Sequence, residues 1–277
     1  MANRMATKQI YQSLWLSDIH LGCKDCKAEM LLQLLQQTKA KRIFLVGDIV
    51  DVWALKRRVY WPESHNQVLQ HLMNLAKSAC EVVYIPGNHD QLFKAYDGMD
   101  LADVTVSKQY LYTSITGKQI LMVHGDQFDE EVCFGRFYAK LGDNLYDFLL
   151  FLNRSSSKIR HAMGYPYWSL AGYIKSKIAK ATEAIARYRD AVVNEAVKQG
   201  VDVVICGHIH HPELSLQKGV VYANDGDWIE NCTLLCETMD GQLQLRRWDD
   251  RLKTTVELVA VALAEPQAQA LSAEKVA

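Results

Sequence analysis

The chain has 277 residues, of which 49% are hydrophobic and 23% charged, and its formal net charge is −1. These are values of a globular protein with a sizeable core, and a nearly neutral chain has no general attraction for nucleic acid. No apolar run, Phe148–Leu152 included, approaches the roughly 20 residues of a membrane-spanning helix. The N-terminus lacks the apolar stretch of a signal peptide, so a cytoplasmic location is expected.

The cysteines do not form a clear metal or disulfide pattern. Seven of them in a cytoplasmic chain are most simply reduced thiols. Cys23 and Cys26 have the spacing of half a zinc site, and Cys232 and Cys236 could supply the other half. The spacing of the second pair is unusual for zinc, so free thiols are favoured over a structural zinc.

The first third of the chain alternates strands with helices. The apolar segments IYQSLWLSD, RIFLVGD and EVVYIPGNHD are separated by helical patterns at Lys27–Ala40 and Asn66–Ala79. This order predicts parallel β-α-β units. In such sheets ligands bind beyond the carboxyl ends of the strands, and the polar residues of these segments lie at those ends.

The rest of the chain changes character twice. A hairpin is predicted to turn at Thr116–Gly117, residues 131–199 have a mostly helical pattern, and short strands return after them. Beyond about Thr255 the sequence is Ala-rich, which predicts a last helical turn or a frayed tail. We therefore expect one domain over 8–255, with a helical insertion or lid at about 131–199 and a tail over 256–277.

Five polar clusters stand at the predicted strand ends. Each alone is a common chance pattern, but five in order, several bracketed by glycine, are hard to explain by accident. The clusters are SDIHLG (Asp18, His20), GDIVD (Asp48, Asp51), GNHD (Asn88, His89, Asp90), HGD (His124, Asp126) and GHIH (His208, His210).

The residue types of these clusters indicate a metal centre. Carboxylate, imidazole and amide together make a mixed nitrogen and oxygen shell, which suits Mn, Fe, Zn or Co better than Ca or Mg. Seven such side chains exceed what one tetrahedral ion takes, but they suit two ions that share a ligand. Two ions about 3.5–4 Å apart can activate a water and clamp the oxygens of a phosphoryl displacement.

The motif order resembles that of the calcineurin-like metallophosphoesterases, and it spans Asp18 to His210. The resemblance implies an α/β fold with two packed mixed β-sheets flanked by helices, and two divalent ions, with Mn expected first. One ion would be held by Asp18, His20, Asp48 and His210. The other would be held by Asp48, Asn88, His124 and His208, so that Asp48 bridges them.

The same resemblance implies roles for two further residues. His89 would stand beside the substrate phosphate, where it stabilises charge or protonates the leaving oxygen. Asp51 would orient the His89 ring, as a carboxylate commonly does for an imidazole. Asn88 would also contact the substrate.

Several details are similar to the bacterial UDP-2,3-diacylglucosamine pyrophosphohydrolases of lipid A synthesis. They are Trp53 after GDIVD, the HGDQFD sequence, and NDGDWIENCT around Asp227 and Trp228, together with a helical insertion between His124 and His208. One residue departs from that group, because its best-known members carry arginine where this chain has His89. The departure leaves the hydrolytic chemistry intact and puts the lipid substrate in doubt.

The insertion is basic and aromatic. Between Arg154 and Arg189 there are eight Lys or Arg residues and one acid, Glu183. Such a segment fits contact with an anionic lipid or the inner-membrane surface, and it fits a solvated basic face over an ordinary core equally well. Lys180 is the candidate cation for a substrate diphosphate, and Trp168 is a candidate contact for the substrate.

Three functions are compatible with this sequence. The leading one is a two-metal hydrolase of a phosphoanhydride or phosphodiester, acting on a small molecule such as UDP-2,3-diacylglucosamine or a similar lipid-linked nucleotide sugar. The second is a general phosphodiesterase of nucleotides or cyclic nucleotides. The third, a non-catalytic scaffold of the same fold, is disfavoured because a scaffold has no need for converging carboxylates and imidazoles.

Overall fold

The protein is seen in a computed structural model that describes residues 9–129, 160, 163 and 179–263. Among these residues are thirteen strands and four α-helices. The helices are α1 Ala28–Gln37, α2 Val52–Arg57, α3 Glu63–Ala76 and α4 Ala179–Gln199. The strands are β1 Gln9–Leu16, β2 Thr38–Val46, β3 Glu81–Ile85, β4 Met99–Leu101, β5 Val104–Val106, β6 Gln109–Thr113, β7 Gln119–Val123, β8 Val203–Cys206, β9 Glu213–Gln217, β10 Val220–Asn224, β11 Thr233–Glu237, β12 Gln242–Asp249 and β13 Thr254–Ala262.

The strands form two mixed sheets. The larger has the order β13-β12-β11-β1-β2-β3-β5-β4, and the smaller has the order β6-β7-β8-β10-β9. Strands β1, β2, β3 and β5 run parallel, as do β7, β8 and β10, while the outer strands pair antiparallel. This confirms the predicted α/β fold with two mixed sheets, and it brings carboxyl ends of parallel strands from both sheets to one region.

Side chains alternate between two cores along the central strands. On β1, Leu14 and Leu16 face a core shared with α1 and α3, while Trp15 faces a core between the two sheets. The inter-sheet core packs Trp15 and Phe44 against Met122 and Ile205. This burial of both faces is expected for parallel strands covered on both sides, and it fixes the two sheets against each other.

Helix α4 covers the outer face of the smaller sheet. Val192, Val193 and Ala196 are buried there against Val204 and Tyr222. This half of the helix lies inside the segment predicted as a lid, but it is a flanking helix of the domain. The rest of the predicted insertion falls largely outside the described residues, including Phe148–Leu152 and Trp168, and its extent stays a prediction.

Two predicted boundaries were wrong. The helix predicted to run to Ala40 ends at Gln37, because Thr38 already pairs with Gln9 in the parallel β1–β2 ladder. The helical turn or frayed tail predicted after Thr255 is a strand as far as Ala262, paired along its length with β12. The predicted hairpin at Thr116–Gly117 is confirmed between β6 and β7.

Candidate metal centre

The candidate site lies where parallel strands of both sheets end. Asp18, Asp48 and Asn88 follow β1, β2 and β3 of the larger sheet, while His124 and His208 follow β7 and β8 of the smaller one. Since the two sheets pack face to face, their strand ends bring these loops together. The seven predicted metal ligands are therefore neighbours in space, and Asp51 and His89 lie beside them.

The backbone at this site is held in an unusual conformation. Five of the seven predicted ligands have positive φ angles, namely Asp18 (48°), His20 (54°), Asp48 (53°), His208 (70°) and His210 (51°). Asp and His tolerate this left-handed region better than most residues, although it is costly for both. Surrounding hydrogen bonds hold the loops in place, including Asp18 N–H to the Gly47 carbonyl (3.0 Å) and His20 N–H to the Asp48 carbonyl (2.8 Å).

One group of ligand atoms consists of Asp18, His20 and His210, whose side chains all lie within 4.8 Å of one another. His210 Nε2 is 3.2 Å from Asp18 Oδ1, and it is 3.3 Å from His20 Nε2. Asp18 Oδ1 is buried and accepts no hydrogen bond from the described residues. A buried, unsatisfied carboxylate oxygen beside two imidazole nitrogens fits the coordination of a cation.

A second group consists of Asp48, His124 and His208, again within 4.8 Å. His124 Nε2 lies 3.4 Å from Asp48 Oδ2 and 3.1 Å from Asn88 Oδ1. The amide oxygen of Asn88 thus faces the same point as the imidazole and the carboxylate. This group has the mixed nitrogen and oxygen donors that first-row divalent metals take.

Asp48 belongs to the second group and also lies close to the first. Its Oδ2 is 3.4 Å from His124 Nε2 in one group and 3.9 Å from His20 Nε2 in the other. Its Oδ1 accepts a hydrogen bond from the His89 N–H at 2.8 Å, which fixes the carboxylate plane. Asp48 thus borders both groups of candidate ligand atoms, and its role as a shared ligand stays a prediction.

The charges of the site also favour bound cations. Burial raises the pKa values of Asp18 and Asp48, but the neighbouring histidines lower them below the ordinary value overall. Burial lowers the pKa of His124, yet Asp48 and Asp18 outweigh it and raise that pKa to about 10. The carboxylates therefore draw positive charge into a buried space, and divalent ions would supply that charge in place of protons.

Two motif glycines leave room for the ligands. A Cβ atom at Gly87 would lie 2.6 Å from His124 Nε2 and would also contact Asp48 Oδ1. A Cβ atom at Gly207 would lie 2.5 Å from Ser17 Oγ and would also contact Asp18 Oδ2. Neither space would accept a side chain, so glycine lets the backbone approach the ligand atoms at both positions.

His89 and Asp51 form a pair at the edge of the centre. His89 Nδ1 is 2.9 Å from Asp51 Oδ1, and the His89 side chain is 25% exposed, so its ring borders the solvent side of the site. Asp51 Oδ2 also lies 3.2 Å from His20 Nδ1. The sequence analysis assigned Asp51 to His89 alone, whereas the structure places it between His89 and a candidate metal ligand.

Trp53 stacks on the outer face of His89, with ring centroids 4.2 Å apart and planes inclined by 30°. It is 41% exposed, so its ring is available beside the site. Of the other predicted substrate contacts, Trp168 lies outside the described residues, and so does the side chain of Lys180 in α4. Their roles stay predictions.

The structure also shows supporting carboxylates to which the sequence analysis gave no role. Asp90 is buried and accepts hydrogen bonds from the N–H groups of Gly87 (2.6 Å) and Ile49 (2.7 Å), so it ties the GNHD loop to the GDIVD loop. Asp129 and Asp227 lie beside His208 and His210. Asp90 stands within a quoted motif, but no spacing rule indicated which backbone groups it would bind.

A two-sheet α/β sandwich with histidine, aspartate and asparagine side chains at its strand ends is the framework of a metal-dependent phosphoesterase. Residues 12–212 match the model of the calcineurin-like phosphoesterase family, a span that holds every predicted metal ligand. The chain belongs to the calcineurin-like phosphoesterase family, and it is a hydrolase of phosphoester or pyrophosphate bonds.

Its curated relatives include several UDP-2,3-diacylglucosamine hydrolases. That of Xanthomonas campestris pv. campestris is 25% identical over 248 residues, which are 83% of this chain and 96% of that protein. That of Edwardsiella ictaluri is 25% identical over 73% of this chain and 77% of its own length. The match to that of Neisseria gonorrhoeae is 28% identical, but it spans only 41% of this chain and 48% of the relative.

Among solved structures, the phosphoesterase YfcE from E. coli is 16% identical, with a TM-score of 0.46 over 90% of this chain and 98% of that one. The fold class is defined by the two sheets of this chain. No α-helix in the described part of the chain is both long and apolar enough to cross a membrane.

Proposed function

We propose that this phosphoesterase is a two-metal enzyme that cleaves the phosphoanhydride of UDP-2,3-diacylglucosamine or of a similar lipid-linked nucleotide sugar. The observation that carries the two-metal part is the pair of ligand groups on either side of Asp48, each with its donor atoms within 4.8 Å. The relatives named UDP-2,3-diacylglucosamine hydrolase support the substrate class.

We assign Asp18, His20, Asp48 and His210 to one ion, and Asp48, Asn88, His124 and His208 to the other. The mixed donor set favours Mn²⁺, with Fe, Zn or Co as alternatives. When bound, two such ions provide Lewis acidity and lower the pKa of a water at the centre. The chain's own contribution is to hold the seven side chains at fixed loop positions.

His89 is the candidate acid–base group. Its Nδ1 is engaged by Asp51, which leaves Nε2 as the nitrogen that can donate a proton to the leaving oxygen or a hydrogen bond to a phosphate oxygen. The carboxylate fixes the orientation of the imidazole. The exposed Trp53 ring on the other side of His89 limits the ring to that orientation.

Substrate selection is assigned to the helical insertion, because the motif residues would act on any phosphoanhydride that reached them. Each buried methylene of an acyl chain contributes about 0.8 kcal/mol, so even a partial apolar groove would favour acylated substrates strongly. The basic residues of the insertion would hold the protein at the inner-membrane surface. Two of them, Arg187 and Arg189, pair with Glu183 and Glu213.

The experiment compares hydrolysis of UDP-2,3-diacylglucosamine, UDP-N-acetylglucosamine, a cyclic nucleotide and a small artificial phosphodiester by Mn²⁺-loaded protein. We expect the acylated substrate to be hydrolysed with the highest kcat/KM. Trp168→Ala, or polar replacement of Leu149–Leu152, should lower kcat/KM for the acylated substrate and spare the small diester. If the wild-type protein hydrolyses the small diester well and ignores the acylated sugar, the lipid substrate is wrong.

A second candidate is a general phosphodiesterase of nucleotides or cyclic nucleotides. His89 favours it, since histidine follows the general pattern of the family, whereas the best-known lipid A pyrophosphohydrolases carry arginine there. The same assay separates the two functions, because only the second predicts a higher kcat/KM for the cyclic nucleotide than for the acylated sugar.

A further inference from the structure

Each predicted histidine ligand has two ring nitrogens, and the structure shows what the outer one contacts. His20 and His124 both turn Nε2 toward the centre. Their outer nitrogens, Nδ1, lie 3.2 Å from Asp51 Oδ2 and 3.0 Å from the Val46 carbonyl oxygen. An acceptor on the outer nitrogen fixes the tautomer and the orientation of a ligand imidazole.

His208 is turned the other way around. Its Nε2 lies 2.7 Å from Asp129 Oδ1, a short contact typical of a charge-assisted hydrogen bond. The nitrogen left to face Asp48 and His124 is therefore Nδ1. The Asp129 side chain is 60% exposed, so its contact with His208 lies at the solvent-facing edge of the site.

His210 has its Nε2 at the centre, 3.2 Å from Asp18 Oδ1. Its outer nitrogen, Nδ1, is buried and makes no hydrogen bond with any described residue. The carboxylate of Asp227 is close to it, with Oδ2 at 4.0 Å. A small rotation of the ring would close this gap to a hydrogen bond.

Asp227 is held firmly in its place. It is fully buried, and one of its oxygens accepts hydrogen bonds from the backbone N–H groups of Ile229 (2.7 Å), Glu230 and Asn231 (3.2 Å). The Asn231 amide donates both to Asp227 Oδ2 and to the His210 carbonyl (3.0 Å). The loop after β10 thus grips the backbone of His210 and presents a carboxylate to its ring.

We propose that Asp129 and Asp227 are positioning residues, each for one histidine of the GHIH motif. Asp129 commits His208 to binding through Nδ1, and Asp227 commits His210 to binding through Nε2. His208 and His210 are two residues apart on one loop. Each would bind a different ion, His208 through Nδ1 and His210 through Nε2. This inference rests on the two-metal centre of the proposed function.

The proposal makes the two carboxylates specific for different ions. Asp129 supports the group of Asp48, His124 and His208, and Asp227 supports the group of Asp18, His20 and His210. Loss of a carboxylate that orients a ligand histidine typically costs about 10–100-fold in metal affinity. Each loss should fall on one ion and leave the other unchanged.

The test measures binding of two Mn²⁺ ions to purified protein by isothermal titration, with Asp129→Ala and Asp227→Asn as variants. Asp97→Ala is the control, because Asp97 is an exposed carboxylate that pairs with Lys108. We expect each active-site variant to weaken one ion about 10–100-fold, and the control to bind as wild type does. In a His20→Ala background, Asp129→Ala should weaken the remaining ion, whereas Asp227→Asn should not.

Nitrogen-15 NMR of the Zn²⁺-loaded wild-type protein gives a readout that does not depend on how Asp227→Asn folds. It should show the proton of His208 on Nε2 and that of His210 on Nδ1. The reverse tautomer at either ring, or equal weakening of both ions by one variant, would overturn the proposal. A wild-type protein that binds fewer than two ions would instead contradict the proposed function. The tautomers of His208 and His210 would then still decide whether Asp129 and Asp227 position the two rings.

Discussion

The pair formed by His89 and Asp51 gives the sharpest prediction about catalysis. Asp51 touches two imidazoles, with Oδ1 2.9 Å from His89 Nδ1 and Oδ2 3.2 Å from His20 Nδ1. It also caps helix α2 by accepting the Ala54 N–H at 2.7 Å. Removing His89 and removing the charge of Asp51 should therefore have different consequences.

His89→Ala should leave the fold and both ions in place, because its side chain is partly exposed and its backbone N–H still binds Asp48. Turnover should fall by roughly 10²–10⁴, the usual contribution of a positioned acid–base group. Asp51→Asn should slow turnover less, because the His89 ring remains. It should also weaken one ion by about 10–100-fold through His20, while asparagine preserves the helix cap.

The assay pairs kcat on a small phosphodiester with metal content after gel filtration, for both variants and for Asp97→Asn as a control. The reasoning fails if His89→Ala loses an ion, because His20, Asp51 and His89 themselves lie close enough to form a third ligand group. It also fails if Asp51→Asn has a normal metal content and a normal kcat.

Two further predictions concern the support of the site and of the sheets. Gly87→Ala should lower metal affinity and activity, since its Cβ would lie 2.6 Å from His124 Nε2; wild-type affinity in a metal titration would contradict this. Glu237→Ala should lower the free energy of unfolding by about 1–3 kcal/mol, because Tyr112, Ser13 and the Ile115 N–H lose the buried carboxylate that binds them. Urea unfolding would measure that loss of stability, and Glu237→Gln should lose less stability than Glu237→Ala. An unchanged unfolding midpoint in Glu237→Ala would show that this network does not stabilise the contact between the sheets.

The strands and the predicted ligands could be found from the sequence because their signals are local. An apolar segment that ends in glycine or aspartate predicts both a buried strand and the functional position after it. Asp18, Asp48 and His124 all follow strands in this way. The order of the motifs then brings them together, since parallel strands end at one edge of a sheet.

The errors arose where pairing partners decide the structure. Residues 38–40 continue a helical composition, but the β1–β2 ladder takes Thr38 as its first residue, and its hydroxyl caps the helix by donating to the Leu34 carbonyl at 2.7 Å. The segment after Thr255 is rich in alanine, yet its valines pair with β12. Tertiary contacts override weak local preferences in both cases.

The supporting carboxylates could not be predicted for a related reason. Asp129 and Asp227 act on His208 and His210 from 79 and 17 positions away in the chain. Whether a carboxylate reaches the outer nitrogen of a histidine depends on ring orientation and loop geometry, which no residue spacing encodes. The candidate ligand residues can thus be named from the sequence, whereas the ring nitrogen that each histidine would offer requires the structure.

The metal content of wild-type protein and of Asp48→Asn tests the two-metal centre most directly. Both proteins are loaded with Mn²⁺, freed of excess metal by gel filtration and measured by inductively coupled plasma mass spectrometry, with Asp240→Asn as an exposed control. We expect two ions per chain in the wild-type protein and in the control, and one or none in Asp48→Asn, whose folded state should persist in circular dichroism. Two fully bound ions in Asp48→Asn, or a single ion in the wild-type protein, would contradict a centre bridged by Asp48.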